Sequence, residues 1–336
     1  LPAYFIALRE TLARCLRYTL FSDAHLLLHD RMKNTKATKC KAASEAVQVS
    51  CRVGYFGLPG SFSHEMAICR FPDASHKSFE EMAIGFEKLR SEEMDKIVVP
   101  FENSIGGAIT DTLDQLILLE NWEKDFCIQE QLVYEVSLCL LGRVPISKIK
   151  RIYSHFVPLT ASRPWIQKNF PSAKSILSAS TSAAAKRAAK DSNGAAVGNA
   201  GAAPVYKLKV LARDITPPST NVTRFLVVGS HSGIGVAASH DAPSARGMVH
   251  LRLPNKSGAL ADVLQMLKRS RINLTQILSR PVQGKPGQHQ FLLEMDLPEK
   301  GAPKKISDLW SKMKKSTRSL HLLGVYPVRP MNFQDP

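Results

Sequence analysis

Thr220-Asn221-Val222-Thr223-Arg224-Phe225-Leu226-Val227-Val228-Gly229 is the stretch from which the chain is best read. Its second half is a short apolar run rich in valine, the pattern of a strand. Its first half sets a hydroxyl beside a guanidinium at the mouth of that strand. Thr223 can donate a proton, and Arg224 can grip a carboxylate. Upstream lie segments in which a strand runs into a polar loop and then a helix. Downstream lies a segment that reads as a small-molecule sensor. That order points to an enzyme.

Upstream, the pattern alternates between strand and helix from Arg52 onward. Residues 53–56 read as a strand and Gly57-Leu58-Pro59-Gly60 as a turn. Ser61-Phe62-Ser63-His64-Glu65 opens a helix with N-cap chemistry. A strand is expected over 96–100, a helix over 105–120, a single strand over 132–141 and another over 151–154. Ser180-Thr181 caps an Ala-rich helix over 182–190, and 195–198 returns as a strand. Such alternation predicts an α/β unit over 52–229. Residues 230–246, rich in Ser, Gly, Ala and His, read as a linker. Beyond it, strand 248–253, helix 259–269, strands 274–280 and 290–295, helix 306–316 and strand 320–325 follow the ferredoxin-like order βαββαβ within 247–336. Residues 1–51 carry eight Lys/Arg against four acids. They read as a disordered extension or as a targeting peptide of the Arg-rich kind.

Composition excludes several classes. The 336 residues carry a formal charge of +16, from 45 basic and 29 acidic side chains. Such an excess could serve nucleic acid, a membrane surface or a polyanionic small molecule, or be a basic surface with no partner. The basic residues are spread along the chain with no zinc-finger, RNP or basic-helix pattern, which argues against nucleic acid. The six cysteines form no C-x-x-C pair and no zinc-ligand spacing, so no metal is expected and a reducing compartment fits. No apolar run approaches the ~18 residues of a membrane span. The loop at Gly57–Gly60 is neither a Walker loop nor G-x-G-x-x-G, so no nucleotide cofactor is expected.

Three segments share one design, a small polar residue where a strand ends and a helix begins. They are Ser61-Phe62-Ser63, Glu102-Asn103-Ser104-Ile105-Gly106-Gly107 and Ser180-Thr181-Ser182. Singly, each is the ordinary cap of a helix. Together with Thr223-Arg224 they describe a convergent anion pocket at the carboxyl ends of strands. Ser154-His155 also follows a strand; His155 can serve as acid, base or donor, or hold a structural bond.

These residues resemble the prephenate and arogenate dehydratases. The shared signatures are Gly57-Leu58-Pro59-Gly60-Ser61-Phe62-Ser63, Val99-Pro100-Phe101-Glu102-Asn103-Ser104, Gly107, Thr112-Leu113-Asp114, Ser154-His155, Ser180-Thr181 and Asn221-Val222-Thr223-Arg224-Phe225. They cover 52–229 in order. The C-terminal segment resembles the family's regulatory ACT domain, with Gly258-Ala259-Leu260 and Ser279-Arg280-Pro281. The resemblance implies two α/β lobes like a type 2 periplasmic-binding fold, with substrate in the cleft. It implies a carbon–oxygen lyase that turns prephenate into phenylpyruvate, without metal or organic cofactor. It also implies a homodimer or homotetramer in which phenylalanine binds the ACT domains, placed in the cytoplasm, or in a plastid if 1–51 is a transit peptide.

In that reading, Thr223 binds or protonates the leaving hydroxyl and Arg224 pairs with a substrate carboxylate. Ser61, Asn103, Ser104, Ser154, His155, Ser180, Thr181, Asn221 and Phe225 line the substrate, and Gly258, Ala259, Leu260, Ser279, Arg280 and Pro281 form the effector site. Four departures stand out. Phe156-Val157 replaces the usual Pro-Gln, Gly106 stands where Glu is frequent, and Thr216-Pro217-Pro218 precedes the Thr-Arg motif where Gln-Asp is common. Leu278 replaces the Glu before Ser279. They bear on turnover and on phenylalanine control. Two other readings compete: a catalytically dead amino-acid sensor, and a decarboxylase that keeps the ring hydroxyl. The sequence does not separate prephenate from arogenate.

Overall fold

A computed structural model describes residues 51–118, 126–217, 221–230, 245–297 and 302–331. The expectations for residues 1–50 and for most of the linker lie outside the described residues. Two sheets organise the first unit. One lobe is built on β1 (Arg52–Phe56), β2 (Ser75–Phe79), β3 (Lys96–Asn103), β5 (Phe126–Glu135) and β11 (Val222–Ser230), ordered β5-β11-β3-β1-β2, with β4 (Gly107–Ala108) paired to β3. Helices α1 (Phe62–Arg70), α2 (Met82–Arg90) and α3 (Thr110–Leu118) cover it. The other lobe is a five-stranded sheet ordered β10-β6-β9-β7-β8, from β6 (Cys139–Gly142), β7 (Arg151–Ser154), β8 (Lys174–Leu177), β9 (Gly194–Gly198) and β10 (Lys209–Ala212). Its helices are α4 (Phe156–Asn169), α5 (Thr181–Ala188) and the short α6 (Ala202–Val205).

The single strand expected over 132–141 is two strands in two sheets. The chain leaves β5 at Glu135 and enters β6 at Cys139, passing from one lobe to the other. It returns before β11, and the two crossings are tied together. Val136 N–H donates to Asn221 O at 2.8 Å, Ile215 N–H donates to Leu138 O at 3.0 Å, and Ser137 Oγ donates to Asp214 Oδ1 at 2.7 Å. The strand-like alternation of Tyr134, Val136 and Leu138 with Glu135 and Ser137 hid the break, because Val136 and Leu138 are core residues of the junction. The helix expected from 105 begins at Thr110; residues 104–109 form a turn and β4 instead.

The C-terminal unit has the expected order: β12 (Ala245–Arg252), α7 (Ala259–Arg269), β13 (Leu274–Pro281), β14 (His289–Leu297), α8 (Ala302–Ser316) and β15 (Ser319–Met331). Its sheet runs β13-β14-β12-β15, all antiparallel. The strand expected to end at 325 continues to Met331, and its tail pairs in parallel with β5, Val328 opposite Gln131 and Met331 opposite Tyr134. One ten-stranded sheet therefore runs through the first lobe and the C-terminal unit. A single buried cluster joins them: Val99, Phe101, Leu226 and Val228 with Met248, Leu292, Leu323 and Tyr326.

Candidate active site between the lobes

The parallel strands direct their carboxyl ends, and the helix starts that follow, toward the gap between the lobes. Ser61 N-caps α1, its Oγ accepting from His64 N–H at 3.2 Å. Ser180 N-caps α5 in the same way, accepting from Ala183 N–H at 3.0 Å. His155 occupies the N-cap position of α4 without a side-chain bond to the helix. Three helix N-termini, with their partial positive charge, thus open at this end of the fold.

Contacts across the gap show that the ends meet. Asn199, just after β9, donates from Nδ2 to Glu65 Oε2 on α1 at 2.7 Å. Tyr206 OH donates to Pro59 O at 2.8 Å. A Cβ at Gly60, whose φ is +78°, would lie 3.0 Å from Ala202 Cα. A Cβ at Gly106 would lie 2.8 Å from Val157 Cγ2, so the β3–β4 turn and the start of α4 touch only because residue 106 has no side chain.

The floor of the gap is a row of side chains on one face of the larger sheet. Thr223 on β11 stands opposite Asn103 on β3 and Tyr134 on β5, so the three share a face. Asn103 is 8 % exposed and fully committed. Its Oδ1 accepts from Ile105 N–H at 2.9 Å and Gly106 N–H at 2.8 Å. Two backbone donors fix the oxygen, so the amide orientation is set by its bonds. Nδ2 then faces inward, donating to Asn221 Oδ1 at 2.6 Å and Thr223 Oγ1 at 2.9 Å. Thr223 is an acceptor toward Asn103, and its own proton points elsewhere. Ser104 Oγ accepts from Val222 N–H at 2.9 Å, pinning the start of β11.

The expected site residues divide into three groups. Asn103, Ser104, Asn221 and Thr223 come together as one constellation. Ser61, His155, Ser180 and Thr181 stand at the helix starts facing the gap. Ser154 and Phe225 do not line it. Ser154 is fully buried and donates to Val197 O at 2.7 Å, tying β7 to β9, and Phe225 is 1 % exposed in the core. Arg224 is a correction of a different kind. Side chains alternate along a strand, so a residue next to Thr223 faces the other way. Its Nε donates to Glu102 Oε2 at 2.8 Å, its Nη1 to Glu294 Oε2 at 2.6 Å and its Nη2 to Gln276 Oε1. The motif at 102–107 is also no helix cap, since Asn103 closes a turn of its own.

Sequence reasoning missed Glu65, Tyr134 and Asn199. Burial raises the Glu65 carboxyl above its ordinary range, against the opposing bond from Asn199. Burial likewise raises the Tyr134 phenol, with the Glu65 charge adding to the effect. Asn199 is 1 % exposed and its Oδ1 has no hydrogen-bond partner among the described residues. Its place immediately after a predicted strand was the one available signal. Among the described residues no three His, Cys, Asp or Glu side chains gather as a metal site, and no helix is long and apolar enough to cross a membrane.

In the C-terminal unit, Gly258 N-caps α7 with φ +80°. Ala259 is buried, Leu260 half-buried, and Ser279 and Pro281 are exposed. Arg280 donates from Nε and Nη2 to Asp114 Oδ1 on α3, at 2.9 and 2.5 Å, so it bonds to the first lobe. Leu278 packs against the cluster shared by the two units. At the same end of the sheet, a cavity of about 220 Å³ is lined by Arg252, Lys285, His289 and Arg318 among others.

The family model described as prephenate dehydratase matches residues 53–233. A bifunctional chorismate mutase/prephenate dehydratase of Aquifex aeolicus is 30 % identical over 288 residues, 85 % of this chain and 76 % of that protein. A prephenate dehydratase of Amycolatopsis methanolica is 30 % identical over 277 residues, 82 % of this chain and 88 % of that protein. The crystal structure of a prephenate dehydratase from Arthrobacter aurescens in complex with L-Phe superposes with a TM-score of 0.72 at 26 % identity, covering 82 % of this chain and 89 % of that one.

Proposed function

The chain belongs to the prephenate dehydratase family, and from that premise we propose that it converts prephenate to phenylpyruvate in the gap between its lobes, as a step toward phenylalanine. The observation that carries this reading is the Thr223–Asn103 pair: a hydroxyl held as acceptor by an amide whose own orientation is fixed. Prephenate loses a carboxylate and a ring hydroxyl. The electron pair of the breaking C–CO2 bond moves into the ring as the C–OH bond breaks. The departing oxygen needs one proton to leave as water, and aromatisation drives the step. Thr223 presents an O–H to that oxygen, and solvent returns the proton afterwards. The helix starts at Ser61, His155 and Ser180 supply the N–H groups and partial charge for the carboxylates. Holding both ends of the substrate against Thr223 is the larger part of the task, since the chemistry is internal to the substrate.

The C-terminal unit is proposed to be an ACT domain that binds phenylalanine. Its βαββαβ order supports this, as does the L-Phe held by the Arthrobacter aurescens relative. Gly258, Ala259 and Leu260, with Ser279 and Pro281, are the proposed effector contacts, in a homodimer or homotetramer. One observation favours arogenate as the substrate instead. Glu65 and the unpartnered Oδ1 of Asn199 are two acceptors at the gap, and an ammonium needs acceptors where a ketone needs donors. The test is turnover of each substrate by the purified chain, with the product identified by absorbance and mass. Phenylpyruvate from prephenate supports the proposal, phenylalanine from arogenate alone selects the second reading, and no product from either leaves a binding module.

A further inference from the structure

The polar network behind Arg224 joins the C-terminal unit to the reacting strands at one point. Glu294 on β14 is 1 % exposed and saturated. Its Oε1 accepts from Gln131 Nε2 at 2.7 Å and Tyr326 OH at 2.9 Å. Its Oε2 accepts from Arg224 Nη1 at 2.6 Å, Arg246 Nη1 at 3.1 Å and Thr275 Oγ1 at 3.2 Å. Gln276 on β13 closes a ring, accepting from Arg224 and donating from Nε2 to Glu102 Oε1 at 2.6 Å. Arg224 also lies over the Phe101 ring, 5.1 Å from its centroid.

Two side chains of this ring are chain neighbours of the proposed catalytic pair. Arg224 adjoins Thr223, and Glu102 adjoins Asn103. The strands are paired there, Arg224 opposite Glu102 and Thr223 opposite Asn103, and a register shift follows at once between Arg224 and Phe225. The shift leaves this end of the β3–β11 ladder less constrained by regular pairing. Side-chain bonds from the opposite face therefore join Ser104 and Asn103 in fixing how the two strand ends lie. Of the four bonds, Arg224–Glu102, Arg224–Glu294, Arg224–Gln276 and Gln276–Glu102, three are made with the C-terminal unit.

We propose that Glu294 and Gln276 are positioning residues for the dehydration step, acting through Arg224 and Glu102 to hold Thr223 and Asn103 in register. The inference rests on the reading of Thr223 as the proton donor. It gives the C-terminal unit a direct hold on the chemistry: any change in that unit that moves β13 or β14 moves the partners of Arg224. Docking of the units does not depend on this ring alone, because Arg280–Asp114 and the shared apolar cluster also join them.

The experiment compares the full chain with Glu294→Gln, Gln276→Leu and, as a docking control, Asp114→Asn. Two readouts are taken: kcat and KM for prephenate, and amide hydrogen exchange at Ile105 and Gly106, whose N–H groups bond to Asn103. Glu294→Gln and Gln276→Leu should each lower kcat by about tenfold or more while KM moves less than about threefold, the signature of a displaced catalytic group. Exchange at the two amides should quicken by about tenfold. Asp114→Asn should keep kcat within about twofold of the parent. Unchanged kcat and unchanged exchange in both ring variants overturns the proposal, as does an equal loss in Asp114→Asn. Should the parent chain not turn over prephenate, the functional reading fails and the exchange readout alone decides the positioning. Should Glu294→Gln not fold, Gln276→Leu at its half-buried site decides.

Discussion

Replacing Asn103 by Asp tests the hydroxyl geometry with almost no change of shape. The carboxylate can still accept from Ile105 and Gly106 N–H, at 2.9 and 2.8 Å, so the turn keeps its closure. The two short donated bonds are lost, to Asn221 Oδ1 at 2.6 Å and to Thr223 Oγ1 at 2.9 Å, along with a long one to Val222 O at 3.4 Å. At ~0.5–1.5 kcal/mol for each neutral bond, stability should fall by about 2 kcal/mol. The effect on rate should be larger than that loss implies. An acceptor-only group in place of the amide turns the Thr223 proton inward, toward residue 103 and away from substrate. The loss of a positioned donor predicts a fall in kcat of about 10²-fold. Acidification should recover part of it, because the new carboxyl, once protonated, donates one bond again. The assay is the rate of ring aromatisation from prephenate across pH, beside thermal unfolding of the same samples. A variant with kcat within about threefold of the parent at neutral pH would refute the assignment of proton direction.

Three further outcomes follow from the same geometry. Thr223→Ala should lower kcat by about 10²-fold or more, whereas Thr223→Ser should recover most of it, since only the O–H is required; steady-state kinetics on both variants checks this. His250 is 5 % exposed, and burial, with smaller contributions from His321 and Arg252, lowers its pKa from 6.5 to about 4. The folded chain resists protonation there, so stability is intact above about pH 6.5, falls as pH drops toward 4, and loses about 3 kcal/mol in all from this group; His250→Gln should remove that limb from a series of denaturant titrations. Leu278 packs on the shared cluster, so Leu278→Glu should cost about 1–3 kcal/mol of stability and leave phenylalanine affinity no tighter, as read by calorimetric titration against the parent.

Much of this was written locally in the chain. The valine run of β11, the Ser61 and Ser180 caps and the βαββαβ order each depend on neighbours within a few residues, and each reads directly. Helix α4 did not, because Pro164 lies inside it and its first residues, Phe156 and Val157, carry no cap signal. The tail of β15 was hidden for the opposite reason. Pro327 and Pro330 read as the end of a strand, yet this tail lies at a junction where proline is tolerated. The role of Arg224 illustrates a different limit. Its motif was legible, but the face it occupies is set by the two-residue period from Thr223, and its partners Glu294 and Gln276 lie 70 and 52 residues away in another unit. No local pattern announces a bond of that kind. Glu65 and Asn199 were missed likewise, since their pairing spans 134 residues and both lobes.

In the proposed reaction, prephenate lies between the lobes with its ring hydroxyl on Thr223. The most direct measurement is a crystal structure of a Thr223→Val variant, slowed in turnover, with prephenate bound. The ring hydroxyl is expected within van der Waals reach of the residue 223 side chain and beside Asn103, with the two carboxylates at the helix starts of Ser61, His155 or Ser180. Prephenate seated elsewhere, or turned with a carboxylate against residue 223, would contradict this placement.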